Sequence, residues 1–153
     1  MKRLSKYMVA VMILLLAVVL MTGCSPWALS SGKVTGGGWF ISDCGEGTKC
    51  TFGFNAQGDG EWCLDMEWKG QFQFNDHAKP DATKIHAAVM KLYEYNFDER
   101  IYKFTGDVKG GGVVVVSVQD FGEPGVDAGD GIRVEFDGDT WEGYLGGGNI
   151  QVH

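Results

Sequence analysis

The sequence predicts an all-β domain, a single antiparallel sandwich or closed barrel of eight or nine strands whose first and last strands lie side by side. Three observations carry this. Short segments with a period of two recur from Lys33 to Val152, and Gly, Asp and Asn clusters separate them. After the N-terminal apolar run no segment has an unambiguous helical period. Glycine triplets interrupt the first strand (Gly36-Gly37-Gly38) and the last (Gly146-Gly147-Gly148). Glycine in a strand interior forfeits packing and costs chain entropy, so it marks a bulge or a close backbone approach. Two such strands at opposite ends of the domain predict that they meet.

Taken in order, Lys33 to Ser42 reads as the first strand and Asp43 to Lys49 as a turn. Thr51 to Asn55 alternates with Phe52 and Phe54 on one face, and Gln57 to Gly60 has turn composition. Glu61 to Trp68 places Trp62, Leu64, Met66 and Trp68 on one face of a strand, and Gln71 to Asn75 alternates again before a loop to Asp81. Thr83 to Tyr95 fits two patterns. Ile85, Ala88, Val89, Leu92 and Tyr93 follow helical spacing, whereas Ile85, Ala87, Val89, Tyr93 and Tyr95 follow strand spacing; the neighbouring strands favour the second. Arg100 to Thr105 is the next strand and Gly106 to Gly112 a turn. The β-branched run Val113 to Val118 predicts a strand buried on both faces. Asp120 to Gly131 is the longest irregular loop. Ile132 to Asp137, Thr140 to Leu145, and a closing strand holding Ile150 and Val152 complete the sheet.

The N-terminus sets the compartment. Lys2, Arg3 and Lys6 precede an apolar run from Met8 to Met21, and Leu20-Met-Thr-Gly-Cys24 resembles the bacterial lipobox. That resemblance implies cleavage after residue 23 and acylation of Cys24; an ordinary secretory signal or an uncleaved anchor is the alternative. Residues 1–23 are thus a lipoprotein-type signal peptide, 24–31 a tether and 32–153 the β-domain, placed in the bacterial cell envelope on the exported side of the membrane. Cleavage removes three of the 13 basic residues and none of the 20 acidic ones, leaving a formal charge of −10. Such a charge disfavours nucleic acid and anionic head groups as partners. Four cysteines suit an oxidising compartment. With Cys24 acylated, Cys44 and Cys50 flank a loop short enough for a disulfide and Cys63 is a buried thiol; without acylation, two disulfides of open connectivity are possible.

The segments Val34-Thr-Gly-Gly-Gly38, Thr51-Phe-Gly-Phe-Asn-Ala56, Lys69-Gly-Gln-Phe-Gln-Phe-Asn-Asp-His77, Phe104-Thr-Gly106, Val118-Gln-Asp-Phe-Gly-Glu-Pro-Gly125 and Gly147-Gly-Asn-Ile-Gln-Val152 occur in this order. Together they resemble the post-COAP family of bacterial exported β-domains. The resemblance implies an extracellular all-β module without assigned activity. The chain departs from that pattern at Trp62 to Trp68 and at Asp127-Ala-Gly-Asp130.

No Gly-x-Ser-x-Gly, His-Glu-x-x-His or Cys-x-x-Cys is present, and Cys63 with His77 or His86 is the only thiol pairing to weigh for catalysis. An enzyme is not expected. Two binding sites are weighed against simpler readings. Asp120, Glu123, Asp127 and Asp130 crowd one loop with glycine carbonyls and could hold calcium, although acidic residues and glycines are also ordinary turn formers. Trp62 and Trp68 could stack on a glycan or fill a protein partner's pocket, although most rings in a small domain fill its core. The expected function is a non-enzymatic, lipid-anchored interaction module; the alternative is a lipocalin-like carrier with an aromatic-lined cavity.

Overall fold

The computed structural model describes residues 32–42, 47–58, 64, 67–78 and 82–153. Eight strands follow one another as a meander: β1 (Lys33–Ser42), β2 (Thr48–Gln57), β3 (Glu67–Asp76), β4 (Lys84–Asn96), β5 (Ile101–Val108), β6 (Val113–Gln119), β7 (Gly131–Phe136) and β8 (Asp139–Val152). Each pairs antiparallel with the next, and β8 returns to β1 to close a barrel. A one-turn helix, α1 (Gly125–Ala128), lies between β6 and β7.

Closure takes place where the glycines are. Gly38 pairs with Gly148 in the β1–β8 ladder. A Cβ on Gly38 would run into the Gly147 carbonyl, and one on Gly148 into the Gly37 carbonyl. Gly148 also has φ 105°, a conformation that side chains disfavour. The last bond of the seam joins the start of β1 to His153, whose N–H donates to the Lys33 carbonyl at 2.8 Å.

Alternation sorts the residues into an apolar inside and a polar outside. Phe40, Phe52, Phe54, Trp68, Phe72, Phe74, Phe104 and Trp141 all point inward and are buried. Their rings meet at centroid distances of 6.2 Å (Phe40–Phe52), 5.6 Å (Trp68–Phe104) and 5.0 Å (Phe74–Trp141), within the usual range of aromatic pairs. Outside stand Asn55, Gln71, Gln73, His86, Lys91, Arg133 and Glu142. This is the inverse of a membrane-spanning barrel, which turns apolar residues to lipid. Among the described residues no helix is long and apolar enough to cross a membrane.

Five expectations change. Residue 64, expected within a strand from Glu61 to Trp68, lies in a turn and is exposed, while Trp68 and the expected strand Gln71 to Asn75 belong to one strand, β3; residues 61–63 and 65–66 lie outside the described residues. The ambiguous segment is strand β4, but its inward residues are Ile85, Ala87, Met90 and Leu92, with Tyr95 packed at the core margin. Val89 and Tyr93 face outward because the register shifts between Ala88 and Met90 and again between Leu92 and Glu94. Strand β5 continues through Gly106, where a Cβ would press on the Met90 sulfur. Strand β6 is buried on one face only, since Val113 is 53% exposed while Val114, Val116 and Val118 point inward. The last two expected strands are one, β8, and α1 adds a turn of helix to the loop before β7.

Candidate functional site

Strand β8 has 14 residues, and its two edges are not equally served. Its first part, Asp139 to Tyr144, pairs with β7; from Leu145 it pairs with β1. The other edge of residues 145–152 therefore has no strand beside it among the described residues, and edge N–H groups need acceptors. The loop 120–130 supplies them. The Leu145 N–H donates to the Asp130 carbonyl at 2.9 Å, the Ile150 N–H to Asp130 Oδ2 at 3.1 Å, and the Val152 N–H to Asp120 Oδ2 at 2.8 Å.

The same carboxylates also shape the loop. Asp130 Oδ1 accepts from the Phe121 N–H at 2.9 Å, and Asp120 Oδ1 from the Gly122 N–H at 2.9 Å. Glu123 accepts from Asn149 Nδ2 (2.7 Å to each oxygen) and from Gln151 Nε2 (2.6 Å). Asn149 Oδ1 in turn accepts from the Gly125 N–H at 2.8 Å. A Cβ on Gly125 would strike the side chains of Asp130 and Asn149, so any larger residue would have to displace the latch. The helix α1 ends at Gly129, whose φ of 88° is the left-handed cap glycine favours.

Environment pulls the two most involved carboxyls in opposite directions. Asp130 is fully buried, and burial pushes its pKa up against the opposing pull of the Phe121 and Ile150 N–H groups; the charges of Asp120 and Glu123 push it further up. Glu123 is held below the usual carboxylate range by its bonds to Asn149 first and Gln151 second.

Three of the four residues expected to gather round calcium accept hydrogen bonds from β8. Asp120, Glu123 and Asp130 act as acceptors for the β8 edge and its side chains, while Asp127 is exposed on α1. Among the described residues no group of three or more His, Cys, Asp or Glu side chains is placed to hold a metal. Sequence reading found the acidic members of this latch and missed Asn149 and Gln151. They occupy ordinary outward positions of an alternating strand, and only the missing strand neighbour makes them matter.

The remaining candidates lie apart. Trp68 is inside the barrel, 1% exposed, and so is a core residue rather than a stacking platform; its expected partner Trp62 lies outside the described residues. Cys50 is buried in β2, with its Sγ 3.8 Å from the Thr48 carbonyl; Cys24, Cys44 and Cys63 lie outside the described residues. His77 bonds Thr51 Oγ1 through Nε2 at 3.0 Å, beyond the end of β3. Trp39 is outward, lying over Gly146 and Gly147 with Lys49 Nζ 4.5 Å from its ring centroid.

No family model, curated protein or solved structure matches the chain.

Proposed function

We propose that the protein is a lipid-anchored component of the bacterial cell envelope whose β-domain is a non-enzymatic interaction or structural module of the post-COAP kind. The observation that carries the non-enzymatic part is the division of the barrel: its inward face is spent on close-packed aromatic and aliphatic side chains, so recognition falls to its loops and outer face. The anchor rests on the cationic start, the apolar run and Cys24. Its acyl chains would give the stable attachment that one weak amphipathic contact does not. A glycan or another envelope protein fits the outward polar surface better than nucleic acid does, given the acidic charge.

The ring packing also weighs against the carrier alternative, since a ligand would have to displace Phe52, Phe54, Phe72 and Phe74 from one another. The test is expression of the full chain in a bacterium fed labelled fatty acid. The expected product begins at residue 24, carries the label and sediments with membranes, while Cys24→Ala loses the label. An unlabelled, freely secreted product would overturn the anchor. Saturable uptake of a fluorescent apolar probe would revive the carrier.

A further inference from the structure

The meander sends the start of β1, the end of β8 and alternate loops to one end of the barrel. Gly32, His153, the β2–β3 connection, the β4–β5 turn at 97–100 and the β6–β7 loop at 120–130 all lie at that end. The opposite end carries the β1–β2, β3–β4, β5–β6 and β7–β8 connections. The two ends differ in chemistry. On the loops of the first, Leu64 is 49%, Phe97 52%, Phe121 43% and Val126 39% exposed. On the loops of the second, the described residues are Gly47, His77-Ala78, Ala82-Thr83, Lys109 to Gly112 and Asp137-Gly138, with no large apolar side chain among them. Ile41 and Val113 are exposed there singly, within strands.

Two of the loops that carry these tips are tied together. The Asp120 N–H donates to the Arg100 carbonyl at 3.3 Å and Gln119 Nε2 to the Glu99 carbonyl at 3.2 Å, which ties the 97–100 turn to the start of the 120–130 loop. Phe97 lies tilted against Tyr95 at 4.6 Å and edge-on to Tyr102 at 6.0 Å, an aromatic group at the rim of the barrel. The acceptor latch holds Phe121 and Val126 on a loop fastened to β8 at both sides of α1.

We propose that this end of the barrel docks on the lipid interface of the membrane, with Phe97, Phe121 and Val126 entering the head-group region and the glycine-rich opposite end facing away. The proposal rests on the reading of Cys24 as the anchored residue. The tether that ends at Gly32, at this same end, is only residues 24–31, the cysteine included. Eight residues reach at most about 28 Å when fully extended, so the anchor keeps these tips close to the bilayer and the second contact becomes intramolecular. Aromatic rings suit that depth, where one side is apolar and the other wet. Asp98, Glu99 and Asp127 are exposed at the same end, so the favoured surface is a neutral, zwitterionic one, and anionic lipid weakens the contact.

The test places a nitroxide label at Val126→Cys, and separately at Lys109→Cys on the far end, in the full chain reconstituted in phosphatidylcholine vesicles. Labelling of the unsubstituted chain gives the background to subtract. The expected result is oxygen accessibility of lipid-boundary type at position 126 and of bulk-water type at position 109. Adding Phe97→Asp and Phe121→Asp returns the first label to water while the protein stays with the vesicles. Water-type accessibility at both positions in vesicle-bound protein overturns the docking. Fatty-acid incorporation at Cys24, measured separately, shows whether the anchor itself has failed, so the two failures are distinguishable.

Discussion

Asp130 shows how one side chain can stand in for a missing strand. Its two oxygens accept the Phe121 and Ile150 N–H groups while its own carbonyl accepts from Leu145. In Asp130→Asn the amide offers one side-chain oxygen and turns its NH2 against the other N–H. An unsatisfied buried donor costs about 1–3 kcal/mol, which exceeds the relief from removing a charge that is already bonded. Urea denaturation at neutral pH should report a loss of that size; an unchanged midpoint would mean that the loop does not hold β8. The pH dependence follows from the two shifted carboxyls. Glu123 has a folded pKa below its unfolded one, so its contribution is present above the unfolded value and is lost as pH falls through the folded value. The gap in melting temperature between the native chain and Glu123→Gln should therefore close on acidification below the ordinary carboxylate range. Asp130 runs the other way: its raised pKa gives a contribution present below the unfolded value and lost as pH rises through the folded one. The deficit of Asp130→Asn should accordingly narrow as pH rises through that range. The acidic residues were visible in the sequence, but their role was not, because it depends on which edge of β8 lacks a neighbour.

Strand β4 explains why its own sequence reads two ways. Its inward residues Ile85, Ala87, Met90, Leu92 and Tyr95 are spaced alternately by two and by three, since each bulge inserts one residue and reverses the facing of everything after it. The resulting average lies between strand and helix periods, so neither template fits, and the position of a bulge leaves no mark that alternation alone can detect. The first bulge also carries a cost. Val89 has φ 59°, and a β-branched residue there is strained by about 1–3 kcal/mol. Its side chain is 43% exposed and has little packing to lose. Val89→Asn, which tolerates the left-handed region, should gain about 1 kcal/mol in a thermal melt. A lower melting temperature would show that the valine packs in a way its exposure does not suggest. Strand β6 misled for a related reason: Val113 to Val118 are all β-branched or small, and in a one-layer barrel that composition reflects strand preference rather than burial on two faces.

For the whole molecule, the decisive event is the return of β8 to β1, which removes the open edges an eight-stranded meander would otherwise present. That closure was legible because glycine triplets at both ends of the domain are expensive unless two backbones must come close. Whether the result was a sandwich or a barrel was not legible, since both require the same alternation. The seam makes a prediction in which one type of substitution has opposite signs. Gly53 is also a strand glycine, but nothing lies within 4 Å of a Cβ built on it, so Gly53→Ala should be neutral or stabilising by about 0.5 kcal/mol. Gly148→Ala places a methyl group against the Gly37 carbonyl at a φ that side chains avoid, and the neighbouring strand cannot yield without opening the ladder. It should cost more than about 2 kcal/mol and speed amide exchange selectively in residues 34–40 and 145–152, leaving β4 to β6 protected until global unfolding. Equal effects of the two substitutions would show that the chain ends are held by general strand packing, and that the glycine seam is not what closes the barrel.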